Sequence, residues 1–391
     1  MQIPTSREIG AISVVAGTAI GAGMLGLPMV IGKLGFVPAT VIMLVIWGLA
    51  VYSALLLLEV NLRIGAGKNF NDMARTVLGR GGQVVATGSM IFLQFALLVA
   101  YLTGFGELIA QTMTTQGLEL SAQSGALYFA VAAYVIVFIG TQMIVRVNQL
   151  LFFAMIAAMV TALFSLVPGV DVGNLQSGSV EQGIIVASLP VLFTSFGFHA
   201  SIPSIIKYLD APVRKLRLVT IVGSALPLAC YLFWIFVSIG GTTPESLHAM
   251  SSVDSLVATL AAGSGWLQTI LSAFASLALL TSFFGVALAM YDLLAEVCKM
   301  RETVVHRAIT TMMVFLPPLV AALLCPGRFI QALAHAGAAL AILAIFLPCA
   351  MAWKLRHQDK AQTRVYQVPG GTPALVLAVL FGLVIVTANY V

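Results

Sequence analysis

Charge is scarce in this chain: Asp, Glu, Lys and Arg make up 8% of its 391 residues, against about 25% in a soluble globular protein. With 60% of residues hydrophobic, that scarcity excludes a soluble domain and leaves an all-α polytopic membrane protein. Cysteine is equally sparse. Cys230, Cys298, Cys325 and Cys349 form no CxxC pair and fall in or near apolar stretches, which excludes a disulfide framework and a Cys/His metal site. No metal and no cofactor are expected. No GxxxxGK[ST] sequence occurs, so nucleotide drive is not expected either. No stretch between the apolar segments is long enough for a soluble domain, so 1–391 reads as one transmembrane unit. The first apolar segment lacks an A-x-A-like cleavage site and reads as a retained helix.

What is present is a series of long apolar runs. Eleven spans are expected, at about 9–31, 36–60, 84–110, 125–144, 148–167, 183–206, 217–240, 266–296, 306–324, 328–352 and 373–391. Of the 19 Lys and Arg, only Lys33 and Arg328 fall in segments on one side; the rest, Lys360 and Arg364 among them, fall on the other. The loops around 111–124, 168–182 and 241–265 contain none. This asymmetry predicts a cytoplasmic N-terminus and a C-terminus on the far side. The positive balance is thus a topology signal and does not imply a nucleic-acid partner; the surrounding partner is membrane lipid.

Two spans carry helix breakers. Gly17, Gly21 and Gly23 lie in the middle of the first, each weakening a helix by roughly 1 kcal/mol relative to Ala. Broken backbone inside a membrane is tolerated only where it faces protein, water or ligand. Span six carries Ser195-Phe-Gly-Phe-His199-Ala-Ser201 and then Pro203. The breaks lie five spans apart, and an odd-numbered repeat inserts its second copy upside down. The spacing therefore predicts a 5+5 inverted repeat, about 9–167 and 183–352, with broken helices 1 and 6 and an eleventh helix at 373–391.

The first break offers the N–H groups of Gly21, Ala22 and Gly23 at a half-helix start, suited to a carboxylate. Small residues also serve close helix packing. The second break offers carbonyls near Ser195, suited to an ammonium group. Together they fit the head group of a zwitterionic α-amino acid. Phe196 and Phe198 are expected either to line a side-chain pocket or to close over it. His199 is a midplane ionisable group, read as a proton carrier, a neutral polar contact or a packing residue. Glu107 lies toward the outer end of span three. Glu59, Asp292 and Glu296 lie near inner ends, where the last two have Lys and Arg as neighbours; His335 is in span ten. Tyr101 and Thr281-Ser282-Phe283 add hydroxyl and aromatic groups at suitable depth. A channel would need a filter or charged ring, and an enzyme an acidic partner for Ser195 and His199; the sequence offers neither.

Val15-Ala-Gly-Thr-Ala-Ile-Gly-Ala-Gly-Met-Leu-Gly-Leu-Pro28 resembles the opening of the hydroxy- and aromatic-amino-acid permeases, and 190–204 is similar to that family's sixth span. Tyr52 to Glu59, Phe315-Leu-Pro-Pro318 and Tyr366 to Ala374 extend the resemblance over the whole chain. It is greatest to the family's tyrosine-specific members, through Thr194 to His199 and the following Lys207-Tyr-Leu-Asp210 and Arg214-Lys-Leu-Arg217. The resemblance implies a LeuT-like fold in the bacterial inner membrane and import of L-tyrosine or a related aromatic amino acid by proton symport. The proton would be the coupling ion, with His199 and Glu107 as its candidate carriers. It also implies a substrate site at Thr18, Ala19, Gly21, Ala22 and Gly23 with Thr194, Ser195, Phe196, Phe198 and His199. His199 and Gln94 are candidate partners for a phenol.

Overall fold

The computed structural model describes residues 5–301, 303–358 and 366–390. Every regular element among them is helical. In chain order these are α1 (Ser6–Ala19), α2 (Gly26–Ile31), α3 (Phe36–Ile64), α4 (Phe70–Thr115), α5 (Ala122–Ile139) and α6 (Thr141–Leu166). Next come α7 (Val172–Gln176), α8 (Gln182–Ser195), α9 (Ile202–Leu209), α10 (Val213–Gly240), α11 (Pro244–Ala249) and α12 (Val253–Ala261). The last are α13 (Gly265–Val297), α14 (Val304–Leu324), α15 (Phe329–Ala341), α16 (Leu347–Gln358) and α17 (Gly371–Thr387). Ten helical spans are long and apolar enough to cross a membrane, and an eleventh arises if the segments Ser6–Ala19 and Ala22–Leu34, bent by 48°, count as one. The chain is a multi-pass membrane protein.

Boundaries move where polar residues hide helix. α4 begins at Phe70, well before 84, because Asp72, Arg75 and Arg80 interrupt the apolar pattern; it kinks at Gly79, whose φ of 81° suits glycine. The fourth span ends at Gly140 instead of running to 144. The segment 241–265, which carried no span signal, folds into α11 and α12, started by side-chain caps at Thr243 and Ser252. α12 buries Val253, Leu256, Val257 and Leu260 against the bundle. α15 and α16 join through a π-helical turn at Ile342–Phe346 into one span. Lys360, Arg364 and the chain's final residue lie outside the described residues.

One ion cluster sits at the ends of α3 and α16. Glu59 is fully buried and accepts from Arg356 Nε at 2.9 Å and Nη2 at 2.6 Å, from the Val368 N–H at 2.8 Å, and pairs with Arg63 at 3.3 Å. This bidentate pair ties α3 and α16 to the segment that leads into α17. A second pair, Lys215 with Glu8 at 2.6 Å, links the starts of α1 and α10. Asp292 and Glu296, flanked in sequence by Lys and Arg, form no ion pair among the described residues.

Candidate functional site

The first break is built by three residues. α1 closes with the Ile20 N–H on the Ala16 carbonyl at 2.9 Å. Ile20 and Gly21 then turn to extended backbone. The Ala22 N–H is carried away from the helix and donates to Ser282 Oγ on α13, at 3.1 Å. The next turn starts with Met24 N–H on the Gly21 carbonyl, at 3.2 Å. Among the described residues, the N–H groups of Gly21 and Gly23 and the carbonyls of Gly17, Thr18 and Ile20 have no partner. Donors at a helix start and acceptors at a helix end therefore face one another across a single break. Both glycines sit at close approaches. A Cβ on Gly21 would meet Ser282 Oγ at 2.5 Å, and one on Gly23 would meet the Ser195 backbone at 3.3 Å.

The second break lies at Phe196 and Gly197, between α8 and a 3₁₀ turn at Phe198–Ser201 that feeds α9. Here the sequence expectation of free carbonyls is corrected. The Phe193 and Thr194 carbonyls accept from Phe196 and Gly197, and the Phe196 carbonyl accepts from Phe198. The Ser195 carbonyl is taken by Tyr231, at 2.8 Å. The tight turn and Tyr231 together take the carbonyls of Phe193 to Phe196, so the free acceptors expected near Ser195 are found on α1 instead.

α10 holds the two breaks together. Tyr231 Oη lies 2.6 Å from the Ala19 carbonyl as well as 2.8 Å from that of Ser195, so its single hydrogen serves both broken spans. Ser195 Oγ in turn reaches the Gly23 carbonyl at 3.1 Å. Trp234 donates to the Met24 carbonyl at 3.0 Å and meets the Phe274 ring edge-on. Sequence reasoning missed both α10 residues. Their signal was a Tyr and a Trp deep in an apolar span, where each polar tip needs a buried partner.

A cavity of about 460 Å³ opens at the breaks. Of the residues singled out from sequence, Thr18, Ala19, Gly21, Ala22, Gly23, Gln94, Tyr101, Thr194, Ser195 and Thr281 line it. Asn148 and Phe152 of α6, which the sequence did not flag, line it as well. Its walls follow α1 back toward its start, α13 onward to Ala289, and the first part of α6. The cavity thus extends from the breaks toward the face that carries Arg7, Arg146 and Lys299.

Phe196, Phe198, His199 and Phe283 do not line it. From the second break it is Thr194, Ser195, Gly197 and Ala200 that face the cavity, while the large rings turn into protein. Phe196 packs edge-on against Tyr231, Phe198 stacks on His199, and Phe283 sits among Phe129, Phe284 and Phe315. His199 is 1% exposed, and its Nε2 lies 2.8 Å from Ser53 Oγ and 3.1 Å from the Ala50 carbonyl. It therefore clamps the second break to α3, through partners that carry no charge. Glu107 is also remote from the cavity. Its Oε2 accepts from the Val253 N–H at 3.0 Å, at the start of α12, and it borders a separate cavity with Asp254. His335 is bonded to the Gln331 carbonyl within its own helix.

Residues 5–389 match the tryptophan/tyrosine permease family. Glutamine transporter 2 of Aliivibrio fischeri is 36% identical over 98% of this chain and 99% of its own. Tyrosine-specific transport system 1 of Haemophilus influenzae is 34% identical over 98% of this chain and 97% of its own. A tryptophan-specific transport protein of Pseudomonas aeruginosa is 31% identical over 97% and 94%. The match runs through both broken spans and every helix that walls the cavity: the chain belongs to the tryptophan/tyrosine permease family.

Proposed function

We propose that this permease is a secondary active importer of L-tyrosine, driven by proton symport across the bacterial inner membrane with alternating access. The observation that carries the proposal is the first break, where unpaired N–H and C=O groups of one backbone meet at a cavity of amino-acid size. The N–H groups of Gly21 and Gly23 suit the substrate carboxylate, and the carbonyls of Gly17, Thr18 and Ile20 suit its ammonium. Tyr101, Phe152 and Leu97 supply an apolar wall for the ring. The LeuT-like 5+5 plan, with the repeats at about 9–167 and 183–352, gives each repeat one break and leaves α17 outside. With the N-terminus cytoplasmic, the cavity faces inward and the layer around Trp234 and Phe274 closes the outer side. Tryptophan is the runner-up substrate. Glutamine enters as a third because of the Aliivibrio fischeri relative.

A zwitterion moving with one proton carries one positive charge, so each 100 mV supplies about 2.3 kcal/mol, enough for roughly 50-fold accumulation. His199 and Glu107 remain the proton-carrier candidates, and His199 is the one attached to a broken span. In proteoliposomes, labelled tyrosine should accumulate under an inward proton gradient without sodium. His199→Gln should abolish that accumulation while retaining tyrosine counterflow, because exchange does not require proton release. Sodium-dependent accumulation that ignores a pH gradient would contradict the coupling. Wild-type accumulation by His199→Gln would move the proton to Glu107. Loss of counterflow together with accumulation would make the His199 clamp structural.

A further inference from the structure

Four of the hydroxyl groups around the central cavity have already committed their hydrogens. Thr18 donates to the Val14 and Val15 carbonyls, Thr194 to those of Pro190 and Leu333, Ser195 to those of Gly23 and Val191, and Thr281 to that of Leu277. Two side-chain oxygens that face the same cavity are different. Gln94 Oε1 on α4 and Asn148 Oδ1 on α6 are buried and have no hydrogen-bond partner among the described residues. They come from the two helices that flank α13. Leu93, Leu97, Phe152 and Val286, which line the cavity with them, offer no donor.

A buried amide oxygen without a donor is costly, and the cost is relieved when a donor arrives. We infer that the carboxamides of Gln94 and Asn148 recognise a hydrogen-bond donor at the far end of the substrate side chain. The inference rests on the proposed function, in which the backbone groups of the first break hold the α-carboxylate and α-ammonium. The donor that reaches the carboxamides must then come from the side-chain tip. A phenol O–H, an indole N–H and a terminal amide N–H all qualify. A phenyl ring, a thioether or a branched aliphatic chain leaves the oxygens unpaired. Such a site selects by the presence of the donor more than by ring size, because an unpaired buried acceptor rejects an isostere more strongly than a change of apolar volume does.

The test uses the full-length protein in proteoliposomes and two isosteric pairs as competitors of labelled tyrosine. Tyrosine is paired with phenylalanine. Tryptophan is paired with β-(3-benzothienyl)alanine, in which sulfur replaces the indole N–H. In the wild type, each donor-bearing member should inhibit at a concentration lower by about tenfold or more than its isostere. In the Gln94→Leu/Asn148→Leu double variant the gap should close to about twofold, through weaker binding of tyrosine and tryptophan and unchanged binding of phenylalanine. Should the double variant transport nothing, Gln94→Met and Asn148→Ser decide, and at least one must narrow the tyrosine–phenylalanine gap. Equal inhibition within each wild-type pair overturns the inference, as does a full gap in the variants. Failure of the transport reading looks different: no tyrosine uptake and no competition by any amino acid.

Discussion

Gly21→Val should abolish transport while leaving a protein that inserts and remains intact. A Cβ at this position lies 2.5 Å from Ser282 Oγ, and the valine γ-carbons add bulk at the point where α13 approaches the break. Ser282 must then swing away and release the Ala22 N–H that it holds at 3.1 Å. Overpacking of this kind costs about 1–3 kcal/mol, and it falls on the backbone groups proposed to hold the substrate head. Tyrosine binding should weaken by about 100-fold or more, roughly 3 kcal/mol. Gly21→Ala should be milder, since the clash is with the end of a short side chain. Gly21→Ala/Ser282→Ala should recover part of the loss by making room, though not the bond to Ala22. Tight tyrosine binding by a well-expressed Gly21→Val protein would remove the first break from the site.

Loss of the Glu59 carboxylate should be the most damaging change to stability. Glu59 is 0% exposed and its partners Arg63 and Arg356 are 6% and 8% exposed as side chains. Glu59→Gln leaves both guanidinium groups buried without a counter-charge, and breaking a buried pair from one side costs about 3–5 kcal/mol. Thermal unfolding in detergent should start well below the wild-type temperature, and yield should fall. Removing the second charge as well relieves the unpaired partner, so Glu59→Gln/Arg356→Met should be more stable than Glu59→Gln alone. A double variant less stable than the single would show that the cluster acts through something other than paired charge.

The membrane spans were legible because hydropathy over about 20 residues is a strong signal, and the breaks because Gly21, Gly23, Gly197 and Pro203 are poor tenants of a buried helix. α11 and α12 escaped because their apolar faces are short and their signal lies in the caps Thr243 and Ser252. Which side of the second break faces the cavity was not legible. Across an interruption the 3.6-residue period no longer fixes the phase, so adjacent Phe196, Gly197, Phe198 and His199 could not be sorted into lining and filling residues. The structure sorts them by size, with Gly197 and Ala200 toward the cavity and the rings toward protein. Gln94 enters the sequence reading as a candidate partner for a phenol. Asn148 does not, because it sits only two residues from Arg146 and reads as the polar edge of its helix.

The central claim, that the cavity between the broken spans holds the substrate, is tested most directly by protection from labelling. Thr18 lines the cavity and is exposed to it, while native Cys298 is exposed at the end of α13 and outside the cavity. In a Thr18→Cys protein that retains Cys298, with the other three cysteines replaced by alanine, both thiols should react with a small maleimide. Saturating tyrosine should slow the reaction at position 18 by about tenfold or more and leave Cys298 unchanged. Unprotected reaction at position 18, in a preparation that still takes up tyrosine, would place the substrate elsewhere.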